Sequence, residues 1–222
     1  MIADELSRIR AGILAACVAA GRPEGSVRLV AVTKTFSDAA VREAWAAGQR
    51  TFGESYPQEL RDKAAALSDL PVEWHFIGRL QKNKAKYVAA VASMAHAIES
   101  LDQAEALSAR RASPLAVLVE VNVADETSKG GLPGELALTL CERLAGLPNI
   151  EVRGLMTLPP AVEDPEDAGP YFAALADLAA RGRARGLPLT ELSMGMSHDY
   201  AVAIRHGATL VRVGSAIFGS RS

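Results

Sequence analysis

A lysine that ends an apolar run, and two small-residue loops far downstream, are the parts of this chain best suited to chemistry. Lys34 directly follows Leu29–Thr33, which reads as a buried strand, and the loops are Ser193–Ser197 and Arg212–Gly219. An amine can attack an aldehyde, and small-residue loops can present backbone N–H groups to a phosphate. The three features together suit a ligand that is both an aldehyde and a phosphate monoester. Pyridoxal 5′-phosphate (PLP) is the commonest cofactor of this kind.

Lys34 is the sharpest of these candidates. Lysines are mostly exposed, and the chain has only six, so one that ends an apolar strand is unusual. Desolvation at that position would lower the pKa of the amine and favour its neutral, nucleophilic form. A surface lysine at a strand end is the alternative interpretation.

The two loops are candidate phosphate ligands. Ser197 could donate its hydroxyl to a phosphate oxygen, and Gly214 and Ser215 could present backbone N–H groups at the start of a short terminal helix. A glycine lets the backbone approach a ligand closely because it has no Cβ. Tight turns of a barrel would explain the same residues without any ligand.

Arg212 precedes the second loop and alternates with two valines. Side chains alternate along a strand, so Arg212 should point away from Val211 and Val213, into the mouth of a barrel. A buried arginine needs a partner, and a pyridine nitrogen is a plausible one. A charged guanidinium there would keep that nitrogen unprotonated and make PLP a weaker electron sink. An internal ion pair with a barrel carboxylate is the alternative.

Short apolar runs alternate with Ala-rich helical stretches along the whole chain. The predicted strands are Arg28–Thr33, Arg50–Gly53, Glu73–Gly78, Met94–Ile98, Leu115–Val123, Ile150–Leu155, Glu191–Ser193 and Leu210–Val213. The predicted helices between them are Asp38–Ala47, Gln58–Leu67, Asn83–Val91, Asp102–Ala109, Glu135–Leu144, Ala168–Arg185 and Tyr200–His206. This alternation predicts an α/β fold, a single (β/α)8 TIM barrel over residues 1–222 with an extra N-terminal helix. A doubly wound open sheet is the alternative, because periodicity does not show whether a sheet closes.

Composition narrows the class of protein. Almost half of the 222 residues are apolar. The net charge is -2 and the sequence has no basic stripe, so nothing in its charge predicts a polyanionic partner such as nucleic acid.

Cys17 and Cys141 lie in apolar helical stretches, so we expect small buried hydrophobes in a reducing compartment, and no metal site. Leu14–Cys17 resembles a lipoprotein cleavage box, but acidic residues precede it and its apolar run is short. We therefore expect a cytoplasmic monomer with no membrane partner.

These stretches in combination resemble the pyridoxal phosphate homeostasis proteins, across essentially the whole chain. The matching stretches are Ala31–Lys34, Phe52–Tyr56, His75–Lys84, Gly154–Met156, Ser193–Asp199 and Arg212–Gly219. The family is similar to the isolated barrel domain of alanine racemases. The resemblance implies that Lys34 is the Schiff-base lysine, that Ser197, Gly214 and Ser215 are phosphate ligands, and that Arg212 lies at the ring nitrogen of PLP.

Two stretches leave questions open. The family usually has asparagine in Phe-Gly-Glu-Asn-Tyr, and Ser55 takes that place here, which puts any contact of the asparagine amide in doubt. The run His75–Lys84 is dense in basic residues. It is interpreted either as a solvated helix start or as a positive rim that attracts an anionic cofactor. His75 itself could be a satisfied core histidine.

A racemase needs acid/base groups on both faces of a planar carbanion. In alanine racemases, which the family resembles, the opposing tyrosine comes from a second domain and a partner subunit. The chain ends at Ser222, so we expect that domain to be absent, and its four tyrosines include no obvious replacement, although Tyr56 could reach the mouth. We therefore predict a PLP-binding protein in vitamin B6 homeostasis that passes PLP to apo enzymes. A PLP-dependent amino-acid racemase and a phosphate-ligand barrel enzyme that does not use PLP are the alternatives.

Overall fold

The computed structural model describes residues 1–124 and 130–219. Within these ranges, eight parallel strands pair in sequence order, and β1 pairs with β8 to close a barrel. The strands are β1 (Arg28–Val32), β2 (Thr51–Glu54), β3 (Glu73–Phe76), β4 (Met94–Ile98), β5 (Leu115–Glu120), β6 (Ile150–Met156), β7 (Glu191–Ser193) and β8 (Leu210–Val213). The predicted (β/α)8 barrel is confirmed, and the open-sheet alternative is wrong because both edges of the sheet are paired.

Helices surround the barrel in the predicted order. They are α1 (Ile2–Ala19), α2 (Asp38–Ala46), α3 (Pro57–Ala66), α4 (Ala85–Val91), α5 (Leu101–Ser108), α6 (Gly134–Leu144), α7 (Gly169–Ala184), α8 (Tyr200–Arg205) and α9 (Ser215–Phe218). Short 3-10 turns, Lys82–Lys84 and Pro165–Ala168, precede α4 and α7. In the part of the chain that the structure describes, no helix is both long enough and apolar enough to cross a bilayer.

The extra helix α1 is amphipathic, as its three-to-four-residue apolar spacing predicts. Its apolar stripe is buried and consists of Leu6, Ile9, Ile13, Ala16 and Cys17. The helix packs against α2, α8 and α9. It therefore covers the part of the barrel wall where the first and last strands meet.

The barrel interior holds both apolar and polar side chains. Inward-facing residues alternate along each strand and fill a barrel of eight strands. The apolar interior cluster consists of Val30, Met94, Ala97, Leu118, Met156 and Leu210. Buried polar side chains share the interior with it, among them His75, His96, Ser193 and Arg212. The interior is thus a packed core that also carries a polar column.

Candidate functional site

A cavity of about 330 Å³ opens at the carboxyl ends of the strands and contains all five predicted ligand-binding residues. Its lining includes Lys34, Ser197, Arg212, Gly214 and Ser215. These residues come from β8 and from the segments that follow β1, β7 and β8. Active sites of (β/α)8 barrels lie at this end, and small-molecule pockets have volumes of about 300–1,000 Å³. The folded chain thus brings together residues that are up to 181 positions apart (215 - 34 = 181).

Sequence reasoning missed the rest of the lining. The additional lining residues are Val32, Ser55, Ile77, Leu158, Met196 and His198. Val32 ends β1, and Ser55 and Ile77 directly follow β2 and β3, so only a position at a strand end could have identified these three. The other three lie further along the loops after β6 and β7. Ser55, which replaces the family's asparagine, lies in the wall of the cavity.

Lys34 lies in a tight turn directly after β1. Thr35, the next residue, has a φ of 69°, a left-handed conformation that is uncommon outside glycine. Its backbone N–H donates to the Glu59 carboxylate at 2.6 Å, and the N–H of Phe36 donates to the Thr33 carbonyl at 3.0 Å. These bonds fix the backbone on the C-terminal side of Lys34, whose side chain is half-buried.

A buried ion pair also fixes the carboxyl end of β1. The Lys63 ammonium donates to Glu54 at 2.7 Å, to Glu59 at 2.7 Å and to the Thr33 carbonyl at 2.5 Å. The Thr33 hydroxyl donates to Glu54 at 2.7 Å. Burial raises the pKa of Glu54, and the bonds from Lys63 oppose that effect. This cluster, which we call the Lys63 cluster, ties the end of β1 to β2 and α3.

A tight turn after β7, which requires a glycine, positions Ser197. Gly195 has a φ of +90°, and a Cβ there would lie 2.6 Å from the Cβ of Ala203, so both backbone conformation and space require glycine. The Asp199 carboxylate accepts the N–H of Met196 at 2.6 Å and closes the turn. Ser197 can therefore reach the next loop.

The two candidate phosphate loops meet at their hydroxyl groups. The Ser215 hydroxyl donates to the Ser197 hydroxyl at 3.3 Å. A Cβ on Gly214 would lie 3.1 Å from the carbonyl oxygen of Val32, so the end of β8 approaches the end of β1 closely. Ser215 is the first residue of α9, and the first N–H groups of a helix have no acceptor within it. Two hydroxyls and backbone donors thus converge on one side of the cavity.

Arg212 forms the floor of the cavity from inside the barrel. It is 4% exposed and donates to the Ser193 hydroxyl and, at 2.9 Å, to the Thr157 carbonyl. Burial lowers its pKa to about 10, and the carboxylates of Glu120 and Asp199 oppose this effect. Arg212 therefore stays charged at neutral pH, and its hydrogen-bond partners within the described residues are neutral.

Two histidines lie behind Arg212, and neither was predicted to act there. Nδ1 of His96 lies 2.8 Å from the Ser193 hydroxyl, and Nε2 of His96 lies 2.9 Å from Nδ1 of His75. Burial holds the pKa of His96 well below its ordinary value, and the neighbouring His75 and the Arg212 charge act in the same direction. His75 is thus a satisfied core histidine, which was one of the alternatives considered from the sequence.

The basic run after β3 lies at the rim. Arg79 is exposed and pairs with Glu99 at 3.2 Å, and Lys82 pairs with Asp102 at 3.1 Å. A second cavity of about 370 Å³, lined in part by Arg79 and Lys84, shares Ser55 with the first. The run is therefore a solvated helix start that also borders the candidate site. Lys129 lies outside the described residues.

A cavity of about 500 Å³ lies at the opposite end of the barrel and is larger than the candidate site. Its lining includes Arg10, Arg28 and Arg50. Their guanidinium groups bond protein carbonyls, Gln49 and the carboxylates of Glu73 and Glu191. The smaller cavity is the better candidate because it combines an amine, a guanidinium and hydroxyls at the strand ends that carry function in this fold.

Comparisons with known proteins show which family the chain belongs to. The family model for the alanine racemase N-terminal domain matches residues 6–222. The pyridoxal phosphate homeostasis protein of Aquifex aeolicus is 43% identical over 98% of this chain and 97% of its own. That of Pseudomonas aeruginosa is 44% identical over 99% of this chain and 96% of its own.

Solved structures are similar to this chain as well. PipY of Synechococcus elongatus with PLP bound is 35% identical, with a TM-score of 0.86 over 99% of this chain and 100% of that chain. Alanine racemase from Corynebacterium glutamicum has a TM-score of 0.71 at 20% identity, over 97% of this chain and 62% of that chain. The second similarity concerns the fold alone.

Proposed function

The chain belongs to the pyridoxal phosphate homeostasis protein family, and we propose that it binds PLP and serves intracellular PLP homeostasis without robust catalytic turnover. The observation that carries this proposal is the single cavity in which an amine, a buried guanidinium and two hydroxyls converge. A relative with 35% identity has been solved with PLP bound. We propose that residues 1–222 act as one such binding domain.

The residues of the cavity fit the chemical groups of PLP. Lys34 offers the primary amine that would hold the cofactor covalently through its aldehyde carbon. Ser197, Gly214 and Ser215 would bind the phosphate through hydroxyl and backbone N–H donors. Arg212 would donate to the ring nitrogen. These are the assignments that the sequence predicts, and they remain proposals.

The charge on Arg212 favours storage over catalysis. PLP, when bound, supplies an electron sink whose strength depends on protonation of the ring nitrogen. A guanidinium cannot give up its proton under ordinary conditions, so Arg212 would hold that nitrogen unprotonated. Among the described residues that line the cavity there is no tyrosine, and Nε2 of His198 bonds the Glu163 carbonyl at 3.0 Å. The described lining residues therefore offer no second acid/base group for racemisation.

We further propose that the protein is a cytoplasmic monomer that transfers PLP to apo PLP-dependent enzymes. Cys17 and Cys141 are buried free thiols, as expected in a reducing compartment. Light scattering of the loaded protein at two concentrations tests the monomer.

Binding is tested by adding PLP to the purified protein, recording its visible absorbance, reducing with borohydride and mapping the label by mass spectrometry. We expect one labelled residue, Lys34, and no label in Lys34→Ala. Lys82→Ala, which removes an exposed lysine at the rim, serves as the matched control and should label fully. A label on Lys82, Lys84 or Lys129 would contradict the assignment of Lys34. A protein that takes up inorganic phosphate but no PLP would support the barrel enzyme that does not use PLP.

Transfer is tested by mixing the loaded protein with an apo-transaminase and following the recovery of transaminase activity. A trap for free PLP separates direct transfer from release, and Lys34→Ala gives the background. We expect recovery in the presence of the trap. Absence of transfer, together with steady racemisation of an amino acid at about 1 s⁻¹ or faster, would favour the racemase instead.

A further inference from the structure

A continuous line of hydrogen bonds crosses the barrel interior from Arg212 to the opposite end of the strands. Beyond His96, Nε2 of His75 lies 3.2 Å from the Glu73 carboxylate. Glu73 begins β3, at the amino end, whereas Arg212 lines the cavity at the carboxyl end. The line therefore joins a cation at the site to an anion at the other end of the barrel.

The chemistry of the two ends fixes the direction of the first and last bonds of this line. A guanidinium only donates, and an ionised carboxylate only accepts. The hydrogen bond from His75 lowers the pKa of Glu73 to about 2, so Glu73 is ionised at neutral pH. Ser193 accepts from Arg212 and still has its own proton to donate, and Nδ1 of His96 lies 2.8 Å away to accept it. Nδ1 of His96 is then an acceptor, which leaves its proton on Nε2.

The same reasoning continues to the far end. Nε2–H of His96 donates to Nδ1 of His75, so His75 also carries its proton on Nε2, and this proton is donated to Glu73. Each imidazole uses both ring nitrogens within the line. With one proton on each ring, carried on Nε2 in both, every one of these bonds has one donor and one acceptor.

We propose that the five residues of this line form one relay, in which every hydrogen bond is donated in the same direction. The relay runs from Arg212 through Ser193, His96 and His75 to Glu73. His96 and His75 then act through Ser193 as positioning residues for Arg212. The proposal rests on the proposed function, because it concerns how Arg212 meets the ligand. Hydrogen bonds aligned head to tail polarise one another, so the negative charge of Glu73 strengthens the bond that Ser193 accepts from Arg212.

The relay stabilises a buried cation without placing a carboxylate against it. A carboxylate in contact would neutralise the guanidinium and compete with the ligand for its donors, whereas Ser193 and the Thr157 carbonyl use only two of the five N–H groups. Glu73 is held in turn by Thr51, at 2.8 Å, and by Arg28, at 3.4 Å. Arg212 therefore presents its charge to the cavity in one fixed orientation.

The first test uses the ligand-free protein and imidazole ¹⁵N NMR at pH 7, with His75→Gln and His96→Gln for assignment. We expect both histidines to be neutral and protonated on Nε2. An Nδ1–H tautomer or an imidazolium at either position would overturn the relay. This measurement requires no PLP, so it separates failure of the relay from failure of the proposed function.

The second test uses Ser193→Ala, which removes the link between Arg212 and His96 and leaves the bond to Thr157. We expect the His96 Nδ1 resonance to move to that of a nitrogen without a hydrogen bond. In the loaded protein, the ring ¹⁵N signal of labelled PLP should move as well. Ser108→Ala removes a buried hydroxyl that bonds Pro148 outside the relay and is the matched control. Unchanged signals in Ser193→Ala would overturn the proposal, and if that variant does not fold, the tautomers of the unmodified protein still decide it.

Discussion

The two sides of the candidate site hold their cations in different ways. On the Lys34 side, the Lys63 cluster pairs a buried ammonium with two carboxylates and fixes the backbone of the strand end. On the Arg212 side, neutral groups hold the guanidinium directly, and the nearby carboxyl of Glu120 has no cation in contact with it among the described residues. On the Lys34 side, the buried ammonium of Lys63 contacts its carboxylates. On the Arg212 side, the guanidinium and the nearby carboxyl are not in contact.

The difference reflects what the ligand-binding residue on each side, Lys34 or Arg212, would do. The amine of Lys34 would have to react, and the Lys63 cluster fixes the backbone of the strand end that precedes it. Arg212 has only to keep its charge and orientation, so its own side chain is held. Buried charges without a paired partner are costly, and the Arg212 side accepts this cost at the place where a ligand would bind.

The largest change in stability is expected from disrupting the Lys63 cluster. Lys63→Met removes the cation of the Lys63 cluster and leaves Glu54 buried without a counter-charge, which should lower the free energy of unfolding by about 3–5 kcal/mol. The double variant Lys63→Met/Glu54→Gln should recover part of this loss, because it removes the stranded charge as well. Urea unfolding measures both.

Lys86→Met, which changes an exposed lysine, is the matched control and should shift the free energy of unfolding by less than about 0.5 kcal/mol. Equal effects of Lys63→Met and Lys86→Met would show that the cluster does not stabilise the end of β1.

A smaller change in stability, which depends on pH, is expected from Glu120 on the Arg212 side. Burial raises the pKa of Glu120 to about 7 from 4.5, and the neighbouring Glu99 acts in the same direction. A carboxyl whose pKa is raised by folding contributes stability that is fully present below about pH 4.5 and lost as the pH rises to about 7. Since one pKa unit corresponds to about 1.4 kcal/mol, the loss between pH 5 and pH 8 is about 2–3 kcal/mol.

Glu120→Gln should therefore remove this pH dependence, and the variant should gain about 2–3 kcal/mol relative to the unmodified protein between pH 5 and pH 8. Urea unfolding at the two pH values gives the difference. Glu105→Gln, at an exposed position, is the control that should show no such change. A pH-independent difference for Glu120→Gln would mean that Glu120 is ionised throughout, and the two sides would then be alike.

The smallest effect concerns the place where the two sides meet. The Ser197 hydroxyl accepts from Ser215 between the ends of β7 and β8. A hydrogen bond from Ser197 to a charged phosphate oxygen would be worth about 1.5–3 kcal/mol. Ser197→Ala should weaken PLP binding about tenfold or more in an absorbance titration, and Ser7→Ala, on the exposed face of α1, should not. Pyridoxal without phosphate should bind far more weakly than PLP. Equal affinity for the two would contradict a phosphate site formed by these loops.

Much of the fold could be predicted from periodicity. The strands Met94–Ile98, Glu191–Ser193 and Leu210–Val213 have the predicted bounds, because short apolar runs between helices are distinctive in this class. β3 and β5 end earlier than predicted, at Phe76 and Glu120, since apolar residues continue past the last paired residue. The convergence of Lys34, Ser197, Arg212, Gly214 and Ser215 followed from placing each at a strand end of a closed barrel.

What the sequence by itself determined was which residues alternate, which end a strand and which resemble a known family, because these properties depend on neighbours along the chain. Only the tertiary structure decided that Glu54 pairs with Lys63, and that His96 on β4 meets Ser193 on β7 across the barrel. These contacts depend on which side chains of distant strands lie at the same height in the barrel. The register of the strands and the closure of the sheet set that height, and neither can be read from residues that are neighbours along the chain.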